Sequence, residues 1–331
     1  MTYDCFIFFN ELDLLEIRLN VLKDVVDKFV LVEATKTHTG KPKPLHYAEN
    51  KARYAAFADR IIHVVVDDFP DPPSGCTERQ ASWMRENFQR NAILRGLVEA
   101  QDDDLILISD LDEIPRPELL ASSRNWSGVT VCEQMFLNFF VNYLDHVRPW
   151  WKGTRILPRS VFHSKARPVR QHYAFIENVN HGMTPTRVRF ADADRIEKRA
   201  GWHFSYLGGV ASVLDKIGSV GLEYEKRANL DETAVLELIA KGEDITGCGG
   251  RYFAVPLDSR FPRYLLDNRA KYAPLIYVPD DDYYRRKRLL RIEAFLRGWI
   301  RKNGAKLIPR PFKDWLYRNI YSRIVKKPIV M

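Results

Sequence analysis

Residues 102 to 117 read DDDLILISDLDEIPRP. Leu105, Ile106, Leu107 and Ile108 form a continuous aliphatic run, not an alternating one, and so predict a short strand buried on both faces. Asp110, Asp112 and Glu113 follow at once, closed by Pro115. A strand that passes through a core and ends in charge delivers carboxylates to a sheet edge. Aspartates two positions apart in the turn SDLDEIP direct two hard oxygen ligands toward one point. Mg²⁺ and Mn²⁺ bind in that way, completing their shells with water and substrate phosphate oxygens. Acids at strand ends also serve as helix caps and solvated turns, and spacing alone leaves both readings open.

Working outward toward the N-terminus, YDCFIFFN predicts a strand and ELDLLEIRLNVLKDVV a helix, with apolar residues at helical intervals. KFVLVEAT predicts a second strand, ENKARYAAFADR a helix and IIHVVVDD a third strand. TERQASWMRENFQRNAILRGLVEA reads as one long helix leading into LILISD. Strands separated by helices predict a doubly wound, largely parallel α/β sheet, in which ligands bind at the carboxyl ends of the strands. The acidic turn then lies at the functional edge.

Charge is distributed unevenly. Residues 285 to 331 hold 15 Lys and Arg against two acids, Glu293 and Asp314, so this segment carries the whole of the net +8 and the preceding residues are net acidic. Its Arg and Lys alternate with Leu, Ile, Phe, Trp and Tyr at helical spacing. This suits an anionic membrane surface, and equally a pair of terminal helices packed on the body. Nucleic acid is not an expected partner of an acidic body. We expect a body at 1–282 and a basic amphipathic helical tail at 283–331. There is no apolar run of about 18 residues, and YDCFIFF begins at Tyr3 without a basic leader before it. The expected location is therefore cytoplasmic, peripheral at the inner face of the membrane. Cys5, Cys76, Cys132 and Cys248 lack metal-ligand spacing and read as reduced structural thiols.

The ordered set YDCFIFFNELDLLEIRL, FVLVEATKTHTGKPKPLHY, WMRENFQRNAI, DDLILISDLDEIPRP, GWHFSYLGG and PRYLLDN resembles glycosyltransferase family 17 from about Tyr3 to Asn268. The resemblance implies a GT-A type fold with a single Rossmann-like mixed sheet flanked by helices. It also implies a UDP-sugar donor, UDP-GlcNAc above all, a divalent cation, Mn²⁺ or Mg²⁺, and inversion at the anomeric carbon. Carried over by position, Asp110 and Asp112 are expected at the metal and nucleotide, with His203 of GWHFS as a third metal ligand. Glu33, Arg85 and Arg90 are expected to line the donor pocket. Glu113 would orient the turn or the donor sugar. Tyr143, Trp150 and Trp151 are candidates for an acceptor-stacking wall. Inversion requires a carboxylate to take the acceptor proton. Glu225 and Glu223 are the expected bases, with Glu113 as a further catalytic candidate. The glycine-rich GCGGRY, residues 247 to 252, matches no phosphate-loop spacing. The basic tail points to a saccharide or lipid-linked saccharide acceptor at a membrane. A noncatalytic saccharide- or lipid-binding protein, or a metal-dependent phosphohydrolase, would also place acids at strand ends.

Overall fold

A computed structural model describes residues 1–123, 126–164, 183–220, 230–245 and 249–279, together with Tyr283, Phe295 and Pro311. Among these, the elements in chain order begin with β1 (Thr2–Phe8), α1 (Leu12–Leu22), β2 (Lys28–Ala34), α2 (His46–Glu49) and β3 (Ile61–Val66). They continue with α3 (Glu78–Asn91), β4 (Leu105–Asp110), β5 (Glu113–Pro115), α4 (Pro117–Ser122), β6 (Thr130–Asn138), β7 (Tyr143–Asp145) and β8 (Trp150–Pro158). The last are α5 (Pro185–Phe190), β9 (Arg195–Glu197), β10 (Gly201–Ser205), α6 (Gly209–Val220), α7 (Glu232–Lys241), β11 (Tyr252–Ala254) and α8 (Arg263–Asp267).

All 11 strands join one mixed sheet, whose main path runs β11-β7-β6-β8-β4-β1-β2-β3, with β5, β9 and β10 attached off it. The β3-β2-β1-β4 segment is parallel, as the alternation of strands and helices predicts. Beyond β4 the path turns antiparallel. β8 enters between β4 and β6, so the sheet as a whole is mixed and not largely parallel. The chain leaves β1 toward β2 on one side, and β4 lies on the other. A crevice therefore opens outside the carboxyl ends of β1 and β4, the position at which doubly wound sheets bind ligands.

The LILI run behaves as its composition requires. Leu105 and Leu107 pack with Phe6, Phe8 and the α1 residues Leu15 and Leu19 on one face. Ile106 and Ile108 pack with Cys5, Val30, Val32 and Ile93 on the other. Covering both faces of β4 buries four aliphatic side chains, each contributing about 1.5–3 kcal/mol of transfer free energy. Two expected helices are shorter than predicted. ENKARYAAFADR contains a 3-10 helix, Lys51–Phe57, interrupted at Tyr54 with φ −111°, ψ 21°. The long helix before β4 ends at Asn91 and continues as the 3-10 helix Ala92–Gly96. Gly96 explains the tight end, because a Cβ there would lie 2.4 Å from Val30 Cγ1. No helix among the described residues is long and apolar enough to cross a membrane. The tail expected at 283–331 lies outside the described residues apart from Tyr283, Phe295 and Pro311.

Candidate active site

The acidic turn after β4 is held by three buried arginines. Arg18, on the apolar face of α1, is fully buried and pairs with buried Asp4 of β1, Nε to Oδ2 at 2.7 Å and Nη2 to Oδ1 at 2.5 Å. Its Nη1 donates to the carbonyls of Asp110, Leu111 and Glu113 at 3.1, 3.0 and 2.9 Å, and its Nη2 donates to Ser109 Oγ at 2.6 Å. One guanidinium thus fixes the backbone of SDLDE, which the fixed fork of an arginine does and a lysine cannot. Arg189, on α5, donates to Glu113 at 2.7 and 2.5 Å and to Asp110 Oδ2 at 3.1 Å. Arg90, on α3, reaches Asp110 Oδ1 at 2.6 Å and Glu86 at 2.7 Å.

Two carboxylates then face the crevice in different settings. Burial would raise the Asp110 carboxyl, but Arg90 and Arg189 outweigh it and hold the group well below the usual carboxylate range. Asp112 behaves likewise, with Lys216 and His203 overcoming burial. Lys216 Nζ lies 3.0 Å from Asp112 Oδ2, and His203 Nε2 lies 3.4 Å from Asp112 Oδ1. The His203 ring stacks on Phe136, with centroids 5.0 Å apart and planes at 7°, and meets Trp151 at 4.9 Å.

These groups line a cleft of about 320 Å³. One end is formed by Phe8, Phe9, Thr37, His38 and Gln89 beside the ends of β1 and β2. The middle holds Asp110, Asp112, His203, Lys216 and Trp151, and the far end Asn138, Arg148, Tyr206, Asp244 and Tyr252. Its polar groups can fix a ligand's orientation, and its rings offer flat apolar faces of the kind sugars stack on.

Residues 1–150 match the family model of glycosyltransferase family 17.

Over 127 residues the chain is 34% identical to the human β-1,4-mannosyl-glycoprotein 4-β-N-acetylglucosaminyltransferase and 33% identical to the mouse one. The match covers 37% of this chain and 23% of each relative, so the chain spans less than a quarter of the length of the curated relatives it matches. Among solved structures, the chain is similar to a mannosyltransferase from Pyrobaculum calidifontis in complex with GDP-Man and Mn²⁺. That similarity covers 92% of this chain and 87% of that one at 12% identity, with a TM-score of 0.34. A second is glucosyl-3-phosphoglycerate synthase from Mycobacterium tuberculosis in complex with Mn²⁺, uridine-diphosphate and glucosyl-3-phosphoglycerate. It covers 80% and 91% of the two chains at 13% identity, with a TM-score of 0.30. The family-17 match contains β1 to β7 and the acidic turn. Trp151, Arg189, His203, Lys216 and Tyr252 come from the chain beyond it.

Not every expected site residue reaches the cleft. Glu33 is fully buried behind the wall, accepting from Tyr47 N and His63 Nε2 at 3.0 Å each, with Lys43 Nζ at 3.7 Å. It anchors Lys43, which does line the cleft. Arg85 donates to the His38 carbonyl at 3.0 Å and braces the 37–41 turn instead of lining the donor pocket. Arg90 acts on the site through Asp110. Tyr143 is 1% exposed and its hydroxyl donates to the Ile239 carbonyl. Its ring stacks on Tyr277 in a separate core cluster, so it does not belong to an acceptor wall. Trp150 is exposed on β8 outside the cleft lining, whereas Trp151 lines it. Tyr206 lines the cleft beside Trp151, whereas Tyr252 at its far end is as buried as Tyr143.

Glu113 is fully buried and accepts from Arg189 twice, from Trp151 Nε1 at 2.6 Å and from Asp110 N at 3.2 Å. A carboxylate so engaged positions its neighbours and has no access to an acceptor proton, which removes it as a base. Glu223 and Glu225 lie outside the described residues, as do Gly247 and Cys248 of GCGGRY.

The metal expectation can be weighed on the donor set. Among the described residues no three His, Cys, Asp or Glu side chains gather closely enough to hold a metal by themselves. Two carboxylates at a nucleotide cleft nevertheless fit a hard cation that takes its other ligands from water and phosphate. His203 is arranged differently. Its Nδ1 is buried without a hydrogen-bond partner, whereas a histidine that ligates through Nε2 needs an acceptor for its Nδ1 proton. The proton is better assigned to Nε2, where it faces Asp112, making His203 a donor to Asp112 in this arrangement.

Proposed function

We propose that this chain is a GT-A type, metal-dependent glycosyltransferase that moves a sugar, GlcNAc from UDP-GlcNAc, onto a saccharide acceptor with inversion. One observation carries the reading. The Asp110 and Asp112 carboxylates, clamped by two arginines and a lysine, sit at the carboxyl end of β4 in a cleft with aromatic faces, inside the segment that matches family 17. The donor nucleotide is assigned to the end lined by Phe8, Phe9, Thr37 and His38, and its diphosphate to the Asp110–Asp112 edge. Asp110 and Asp112 would hold the divalent cation, which supplies Lewis-acid neutralisation of charge on the leaving diphosphate. The chain's own residues orient both substrates. Arg18 and Arg189 keep the turn from moving, and Trp151 and Tyr206 offer stacking faces to the sugars. The acceptor hydroxyl attacks the face opposite the leaving UDP, and its proton passes to a carboxylate within hydrogen-bond reach. Glu225 and Glu223 are the first candidates for that role. Among the described acids lining the cleft, Asp244 stands at the acceptor end.

A lipid-linked saccharide at an anionic membrane surface is the acceptor class that the basic residues 285–331 favour, since each cation near such a surface contributes about 1 kcal/mol. The decisive test is a panel of UDP- and GDP-sugars with Mn²⁺, following nucleotide release on addition of lipid-linked and free saccharides. Release of UDP from UDP-GlcNAc that depends on acceptor is the expected result. Binding without release would leave a saccharide-binding protein, and phosphate release without sugar dependence would leave a phosphohydrolase. Asp112→Asn is expected to abolish Mn²⁺-dependent UDP binding by calorimetry while the protein stays folded. Unchanged affinity would remove the cation from this acid.

A further inference from the structure

Lys216 is the one cleft residue whose position bears on how the donor and the cation arrive together. It projects from α6, a helix that begins at Gly209 just after Gly208, the two with positive φ of 83° and 114°. Beyond that bend, α6 meets the parallel half of the molecule mainly through polar contacts. Asn10 Nδ2 donates to Asp215 Oδ2 at 2.9 Å, and Thr39 N and Oγ1 donate to the carbonyls of Ser219 and Gly218 at 3.2 and 3.5 Å. Between them, the Lys216 ammonium lies 3.0 Å from Asp112 Oδ2, 3.8 Å from Glu11 Oε1 and 5.3 Å from the Tyr206 ring centroid. It is therefore within contact distance of the carboxylate that would hold a divalent cation. Two cations on one carboxylate oxygen repel each other. A lysine is also a mobile point charge on a four-carbon stem, able to swing between nearby anions.

We propose that Lys216 is the internal cation of the donor site: without nucleotide it neutralises Asp112 and competes with a divalent metal there, and on donor binding its ammonium moves to the diphosphate. The proposal rests on the reading of the cleft as a nucleotide-sugar site. It gives metal and nucleotide a positive coupling that neither Asp110 nor Asp112 supplies alone. The nucleotide draws Lys216 off Asp112 and so favours the metal, and by linkage the metal favours the nucleotide to the same degree. It also ties α6 to the chemistry, because the segment carrying Lys216 follows its ammonium toward the diphosphate.

The test uses the full chain with Mn²⁺ and UDP as probes. Free Mn²⁺ is measured by electron paramagnetic resonance without nucleotide, and UDP affinity by calorimetry with and without Mn²⁺. In Lys216→Met, Mn²⁺ alone should bind about tenfold more tightly, the range of a typical coupling between sites. UDP in the presence of Mn²⁺ should bind about tenfold more weakly, as expected for loss of one hydrogen bond to a charged group. Lys216→Arg should stay close to wild type in both. A lysine that only pinned α6 to the body would change neither Mn²⁺ binding nor the coupling, so a Met variant with wild-type values in both measurements overturns the proposal. Failure of the wild-type protein to bind UDP with Mn²⁺ overturns the donor reading itself, and this inference with it.

Discussion

Removing Arg189 should expose how much of the site's order is stored in one buried ion pair. Arg189 donates two hydrogen bonds to Glu113, and Glu113 is fully enclosed, with Trp151 Nε1 and the Asp110 amide as its other donors. Arg189→Met keeps the volume and leaves a buried carboxylate without its counter-charge, a change that costs about 3–5 kcal/mol. Glu113→Gln is milder. Arg189 keeps Asp110 as a partner at 3.1 Å, and the amide still accepts from Trp151, so about 1–3 kcal/mol is expected. The double variant should cost less than the sum of the two by about 0.5–3 kcal/mol, because neither charge is then left alone. Urea unfolding of the four proteins, followed by tryptophan fluorescence, measures all three quantities. Calorimetry should show in addition that Arg189→Met weakens Mn²⁺-dependent UDP binding, since Asp110 loses one of its two clamps. A cost below about 1 kcal/mol for Arg189→Met, or strict additivity in the cycle, would refute the idea that this pair organises the turn.

Three further outcomes are expected. The Asp112 carboxyl is held below its ordinary value, so its charged form stabilises the fold above about pH 4, and that stabilisation is lost as pH falls through and below this value. The stability gap between wild type and Asp112→Asn should therefore narrow between pH 6 and pH 3, and a constant gap in urea titrations would contradict it. Gly201→Ala should cost about 3 kcal/mol or more, because φ is +152° and a Cβ would lie 2.1 Å from the Ile114 carbonyl oxygen in the paired strand β5; a normal melting temperature would show that the β5–β10 ladder can shift. Burial pushes the thiols of Cys5 and Cys132 up, and both are enclosed, whereas Cys76 is half-exposed. Iodoacetamide labelling read by mass spectrometry should modify Cys76 well before Cys5 or Cys132 in the native protein, and equal rates would mean that β1 or β6 opens readily.

The parallel half of the fold and the acidic turn were legible because their signals are local. An unbroken LILI run states two-sided burial, and charge directly after it marks a strand end at the sheet edge. The clamps were not legible in that way. Asp4 stands as the single charge within TYDCFIF and Arg18 as the single base within LDLLEIRLNVL, on its apolar face, and that paired oddity was the available clue. Arg189 and Lys216 meet the turn from 76 and 104 residues away, and no spacing rule reaches that far. Of the three aromatic wall candidates Trp151 alone lines the cleft, for a related reason. Density of rings around residues 135 to 157 could not say which ring faces inward. Tyr143 sits on a three-residue strand whose ends both point into the core, while Tyr206 arrives from a later segment.

The placement of β8 between β4 and β6 sets a limit on dissecting this protein. The match to the family-17 model ends at residue 150, and β8 begins at Trp150. A fragment cut at that point would lack the strand that hydrogen-bonds β4 on one side and β6 on the other. Two long apolar edges would be left open to pair with other copies, the usual route to aggregation. The matched segment is thus not a unit of folding. Grafting or expressing it apart from the following residues would yield insoluble material and not a minimal nucleotide-binding module.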